Sequence, residues 1–198
     1  YSSLQILNTP DVNILTFEDP VEIQMDGLNQ SQMHPDIEYN FARGLRAALR
    51  QDPDIIMVGE IRDRETIDVA IEASLTGHLV LSTIHTNSAV ETLTRIDNMG
   101  VPPFLMTATI NTIIAQRLVR RLCQKCKQPM EIDEATRLTV KKAIDRLNEK
   151  ERAKFDAALL EKFQFYKEAG CEECDKIGFR GRVGLYEVLQ MTNELRLL

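Results

Sequence analysis

The chain has 198 residues, 43% of them hydrophobic and none Trp, with a formal charge of −6. That length can bury one ordinary core, with or without a small appendage. No apolar run approaches the roughly 20 residues of a membrane-spanning helix, and the start has neither the basic end nor the apolar centre of a signal peptide. The acidic balance argues against a general nucleic-acid coat, so only a local basic patch needs separate explanation.

Tyr1 to Asn8 reads as the tail of a helix, with Leu4 and Leu7 on one face until Thr9-Pro10 stops it; without an initiating Met, the chain reads as a piece of a longer protein. Val12 to Phe17 is β-rich and runs into Glu18-Asp19-Pro20-Val21-Glu22, three carboxylates within five residues, a pattern that taken alone reads first as a solvated turn. Residues 23–37 have no clean period and read as a long loop or short hairpin carrying His34. Phe41, Leu45, Ala48 and Leu49 fall at i, i+4, i+7 and i+8 and predict an amphipathic helix. It leads to Ile55-Ile56-Met57-Val58, a short buried strand that stops at Gly59-Glu60. Asp63 is placed to cap a helix whose inner face is Ile67, Ala70, Ile71, Ser74 and Leu75, with Gly77 as its stop. Leu79 to Ile84 is a further strand and ends on His85. Ser88 and Glu91 form a capping box for a helix with Leu93, Ile96 and Met99 inward, closed by Gly100 and Pro102-Pro103.

Three strands alternating with helices predict an α/β fold, a parallel sheet covered on both faces. Ligands of such sheets bind beyond the carboxyl ends of the strands. Glu18, Asp19, Glu22, Glu60 and His85 all fall there. An acidic edge with one His suits cation-assisted phosphoryl chemistry, because carboxylates can hold Mg²⁺ directly or through water, orient a nucleophilic water and accept its proton.

Phe104 to Leu122 is expected to be one helix ending in the basic run Arg117, Arg120, Arg121. A helix dipole accounts for such a run as well as contact with nucleic acid or an acidic partner does. Cys123-Gln-Lys-Cys126 follows, and Cys171-Glu-Glu-Cys174 comes after a spacer of 44 residues. Four thiolates are the number required by a closed, structural zinc site. A redox pair and unmetallated buried Cys are the competing readings. Leu138, Ile144, Leu147, Phe155, Leu159, Phe163 and Phe165 lie in evenly mixed charge and suggest a helical hairpin within the spacer. Gly178 to Leu189 is Gly-punctuated and strand-like, and Leu197-Leu198 falls inside a further helix.

The chain resembles the secretion-superfamily hexameric ATPases, the assembly motors of type IV pili and the similar ATPases of type II secretion, over nearly its whole length. Residues 14–22 resemble that family's Asp box, 54–63 its Walker B, 77–86 its His box, and Cys123, Cys126, Cys171 and Cys174 its tetracysteine zinc element. The resemblance implies a RecA-like P-loop core, truncated at its start, over residues 1–122, a zinc element with helical spacer over 123–178, and a closing segment over 179–198. It implies ATP and Mg²⁺ as well as structural Zn²⁺. Glu22 would activate the attacking water, Glu18 and Asp19 would shape the same turn, Glu60 would assist Mg²⁺ through water, and His85 would contact the γ-phosphate region. The implied assembly is a homo-hexamer at the cytoplasmic face of the bacterial inner membrane, acting on a platform protein and touching the membrane only through partners, without direct nucleic-acid contact. Pilus assembly is the first expectation and type II secretion the alternative. A RecA-like nucleic-acid motor, a DNA-uptake pseudopilus ATPase and a non-catalytic zinc-stapled adaptor are more distant. Retraction motors share the three boxes but lack the tetracysteine. The family's Gly-x-x-x-x-Gly-Lys-[Ser/Thr] loop does not occur between Tyr1 and Leu198, so the 198-residue piece alone is expected neither to bind nor to hydrolyse ATP appreciably.

Overall fold

The computed structural model describes residues 1–153 and 164–197. The chain divides into two compact units, Tyr1–Gln116 with Tyr186–Leu198, and Arg117–Leu185.

In the first unit four strands form one parallel sheet: β1 (Ile14–Glu18), β2 (Asn29–Gln32), β3 (Ile55–Val58) and β4 (Leu79–Ser82), in the order β2-β1-β3-β4. Glu18 pairs in register with Gln32, Phe17 with Val58, and Val58 with Ser82, so all four carboxyl ends share one edge. The strand β2 corrects the expectation of a loop or hairpin over residues 23–37. Its sequence, Asn-Gln-Ser-Gln, has no apolar residue and is held by pairing with the fully buried β1. The strand β4 departs from the expected double burial: as the last strand of this sheet it leaves Leu79 43% exposed.

Successive residues of a strand face opposite sides, and the core divides accordingly. Leu15, Phe17, Ile56 and Val58 pack with Leu45, Ala48, Ile67, Ala70 and Ile96. Ile14 and Ile55 pack on the other face with Leu4, Leu7 and Met57. The helices are α1 (Ser2–Leu7), α2 (Phe41–Ala48), α3 (Arg64–Leu75), α4 (Ala89–Asn98) and α5 (Pro103–Thr109). Side chains of Asn40, Asp63 and Ser88 accept the backbone N–H of Arg43, Thr66 and Glu91 at 2.9, 2.8 and 3.1 Å. Each such cap stabilises by about 1 kcal/mol. The Glu91 carboxylate accepts from Asn87 N–H, one residue ahead of the position a reciprocal box requires. On α3 the buried residues are Thr66, Ile67, Val69, Ala70 and Ala73, whereas Leu75, expected inside, is 55% exposed. The helix α2 lies so close on β1 that a Cβ at Gly44 would stand 2.7 Å from the Phe17 ring.

The expected helix from Phe104 to Leu122 is formed only in its first part. It ends at Thr109, Ile110 is extended, and Thr112–Leu122 is a strand, β5, paired with β8 (Phe179–Gln190). The β-branched run Thr112-Ile113-Ile114 favours extended backbone, and apolar residues at 105, 110, 113, 114 and 118 mimic a helical stripe. The basic run therefore lies on a strand, and the helix-dipole explanation falls with the helix. Arg120 instead stacks over the Phe179 ring at 4.2 Å.

The second unit contains β6 (Gln128–Met130) antiparallel to β7 (Phe165–Lys167), and the helices α6 (Glu134–Asp145) and α7 (Glu149–Arg152). Phe165, expected on a helix, lies on β7, and Leu138 is 48% exposed. Phe155, Leu159 and Phe163 lie outside the described residues.

Candidate functional site

At the carboxyl edge of the sheet, Glu18, Asp19, Glu22, Glu60 and His85 line one cleft of about 670 Å³, together with Tyr1, Gly59 and Thr83. The ends of β3 and β4 are tied there. Thr83 Oγ1 donates to the Gly59 carbonyl at 2.7 Å, and Ile61 N–H donates to the Thr83 carbonyl at 2.9 Å. On the other side Gly59 N–H donates to Phe17 O at 2.7 Å. A Cβ on Gly59 would lie 3.1 Å from that carbonyl, so β1 and β3 approach too closely here for a larger residue to fit without a shift.

This bracing sets Glu60 beside His85, whose Nε2 lies 3.0 Å from Glu60 Oε2, while Arg62 pairs with Oε1 at 2.6 Å. The Glu60 side chain is 12% exposed and that of His85 80% exposed. Partial burial opposes the charged carboxylate, but the hydrogen bonds and charges of Arg62 and His85 outweigh it and hold Glu60 below its usual range. Glu60 is thus a committed anion at neutral pH, whereas His85 presents most of its ring to solvent.

The acidic turn divides into two kinds of carboxylate. Asp19 and Glu22 are exposed, whereas Glu18 is 3% exposed. Glu18 Oε1 accepts from Thr16 Oγ1 at 2.5 Å and from Gln30 Nε2 at 2.9 Å, and Oε2 accepts from the Tyr1 hydroxyl. A carboxylate can be buried at tolerable cost when donors occupy its oxygens in this way. Tyr1, Thr16, Gln30, Arg62 and Thr83 were not anticipated as site residues. Thr16 had a signal, since position i−2 on a strand shares the face of Glu18. Gln30 had none, because its place opposite Thr16 depends on the unforeseen β1–β2 register.

In the second unit the Sγ atoms of Cys123, Cys126, Cys171 and Cys174 all lie within 4.8 Å of one another. The Cys123–Cys171, Cys126–Cys174 and Cys171–Cys174 sulfurs are 3.9, 3.8 and 3.7 Å apart. Those distances are far beyond a disulfide bond, and they match the edge of about 3.8 Å for a tetrahedron of sulfurs each about 2.3 Å from a central zinc. Backbone N–H groups point at the sulfurs: Gly170 donates to Cys126, and Cys171 and Gly178 donate to Cys174. Burial pushes the Cys174 thiol up, but these two amides and the neighbouring thiols outweigh it and bring it down to about 7. Burial dominates at Cys171, which is pushed up to about 11. A cluster of four thiols with amide donors fits a soft divalent metal.

A family model for type II/IV secretion system proteins matches residues 1–198. The chain is 50% identical over 197 residues to the type IV pilus assembly ATPase PilB of Myxococcus xanthus, covering 99% of this chain and 32% of that protein. It is 47% identical over 196 residues to the type II secretion system ATPase E of Vibrio cholerae, covering 99% and 36%. The chain therefore spans about a third of the length of these relatives. Among solved structures it is similar to the pilus retraction motor PilT with bound ADP, at 29% identity and a TM-score of 0.65, covering 99% of this chain and 44% of that one. It is also similar to the ATPase DotB of Legionella pneumophila, at 28% identity and a TM-score of 0.56, covering 96% and 40%.

Proposed function

Because the chain belongs to the type II/IV secretion system protein family, we propose that the protein carrying it is an ATP-hydrolysing motor that powers type IV pilus assembly. The parallel sheet is then part of a RecA-like P-loop core. The observation that carries the reading is the convergence of Glu22, Glu60 and His85 on one cleft at the carboxyl ends of parallel strands.

Glu22, exposed on the turn after β1, takes the proton of the attacking water. Glu60, kept ionised by Arg62 and His85, is the residue that would hold Mg²⁺ through water. When bound, that ion would neutralise charge on the phosphate oxygens. His85, mostly exposed yet tethered to Glu60, would hydrogen-bond a γ-phosphate oxygen. The four cysteines are the residues that would hold zinc, and four protein sulfurs leave no open position for chemistry, so the metal's role is structural. The proposed assembly is a homo-hexamer engaging a platform protein at the cytoplasmic face of the inner membrane. Among the described residues no helix is long and apolar enough to cross a membrane.

A type II secretion motor is the second reading, supported by relatives of that name at 43–47% identity. Pilus assembly is preferred on the 49–50% identity to three pilus assembly ATPases. A protein of the relatives' full length carrying this sequence is expected to restore surface pili to a strain without its assembly ATPase. Restoration of protein secretion alone, in a secretion-deficient strain, would move the assignment to the second reading. In that full-length protein Glu22→Gln is expected to lower kcat about 100- to 1,000-fold with nucleotide affinity retained.

A further inference from the structure

The turn that carries Glu22 has no ladder of its own, and its backbone is held by side chains from elsewhere. Val21 N–H donates to Gln32 Oε1 at 3.4 Å, Glu22 N–H to the Tyr1 hydroxyl oxygen at 3.2 Å, and Met25 N–H to Gln30 Oε1 at 2.7 Å. The Ile23 carbonyl accepts from Gln30 Nε2 at 3.0 Å. Two of these holders converge on a single group: Tyr1 donates its hydroxyl proton to Glu18 Oε2, and Gln30 Nε2 donates to Glu18 Oε1. Burial and the hydrogen bond to Glu18 push the Tyr1 phenol above its ordinary value, so it stays protonated and able to donate.

We propose that Tyr1, Gln30 and the buried Glu18 form a frame that fixes the backbone at Glu22, making Tyr1 and Gln30 positioning residues for the water-activating carboxylate. The inference rests on the assignment of Glu22 as the base. Its physical ground is that a proton acceptor must lie within hydrogen-bond reach of its water in one orientation, and a side chain on an irregular turn achieves this only if the turn is braced. The frame spans three places in the chain: Tyr1 precedes α1, Glu18 ends β1 and Gln30 lies on β2, paired in register with Thr16. It also accounts for the burial of Glu18 in a turn whose other two carboxylates are exposed. As the shared acceptor, Glu18 links the two holders.

The test uses Tyr1→Phe and Gln30→Met, each made in a protein of the relatives' full length carrying this sequence and each also combined with Glu22→Gln. Tyr1→Phe keeps the ring and loses only the hydroxyl, and unfolding midpoints check that both variants are folded. Each single substitution is expected to lower kcat about 10-fold while KM for ATP and the Kd of a fluorescent ADP analogue stay within about twofold. On the Glu22→Gln background the same substitutions are expected to cost less than about twofold more, because a frame for an absent base has nothing left to position. Wild-type kcat in both folded single variants overturns the proposal while leaving the base assignment standing. An undiminished 10-fold loss on the Glu22→Gln background overturns it too, since the frame would then act on something other than Glu22. Wild-type turnover in Glu22→Gln itself removes the base assignment and this inference with it.

Discussion

The two units solve the problem of cohesion by different means. In the first, Leu4, Ile14, Leu45, Ile56, Val58 and Val101 are among the fully buried side chains, and the sheet has apolar packing on both faces. In the second, Cys123 and Cys174 are the only buried hydrophobic side chains among the described residues, and α6 buries none. The first therefore follows from ordinary burial of apolar area. Among the described residues of the second there is little of it, and four sulfurs cluster there instead. One unit gathers its polar strand ends around a cleft, whereas the other gathers its four thiols into one cluster.

The sharpest way to break this contrast is to remove a thiol. Cys174→Ser is expected to reduce bound zinc from about one equivalent to none and to collapse the amide spectrum of residues 117–185, while resonances of the sheet persist. Metal analysis alongside a two-dimensional NMR spectrum would decide it, and an unchanged 117–185 spectrum without metal would show that the unit needs no staple.

The converse experiment is Leu45→Ala, at a position with 0% exposure. It should cost about 2–5 kcal/mol in urea unfolding of the first unit, with zinc content unaltered. A milder test concerns Glu60, whose carboxyl titrates below its ordinary 4.5 in the folded state. A depressed acid contributes stability that is fully present above about pH 4.5 and is lost as pH falls through the folded value. The stability advantage of the wild type over Glu60→Gln should therefore shrink on acidification below that point, as denaturation curves at several pH values would show. Smallest of all, Leu75→Ala at a 55% exposed position is expected to change stability by no more than about 0.5 kcal/mol, despite the helical spacing that suggested an inward side chain.

These contrasts also explain what the sequence could reveal. The strand β3 and the helices α2 and α3 are legible because most of their apolar spacing agrees with their burial, α3 also through its Asp63 cap. Asn40 as the cap of α2 was not foreseen, although Asp63 was. The strand β2 was illegible because nothing in Asn-Gln-Ser-Gln distinguishes a paired edge from a loop, and its extended form comes from β1. The strand β5 is hard to read because a chance helical spacing of apolar residues masks its β-branched run. At the cleft, the polar strand ends could be placed by alternation of strands and helices alone. The supporting hydrogen bonds could not, since Gln30 is twelve residues from Glu18 and Thr83 twenty-four from Gly59. The four cysteines were found by their paired spacing, but their tetrahedral separation required the chain to fold back.

Gly44 shows how far a position without chemistry can reach. Its missing side chain sets the height at which α2 sits over β1, because an added methyl would meet the Phe17 ring at 2.7 and 2.9 Å. Phe17 directly precedes Glu18, and its carbonyl receives the Gly59 amide. The spacing between two backbones is therefore a tolerance inherited by both strand ends that face the cleft. A change at residue 44 would push on the Phe17 ring and so reach the backbone at Glu18 and Gly59, although no residue of the cleft is itself altered.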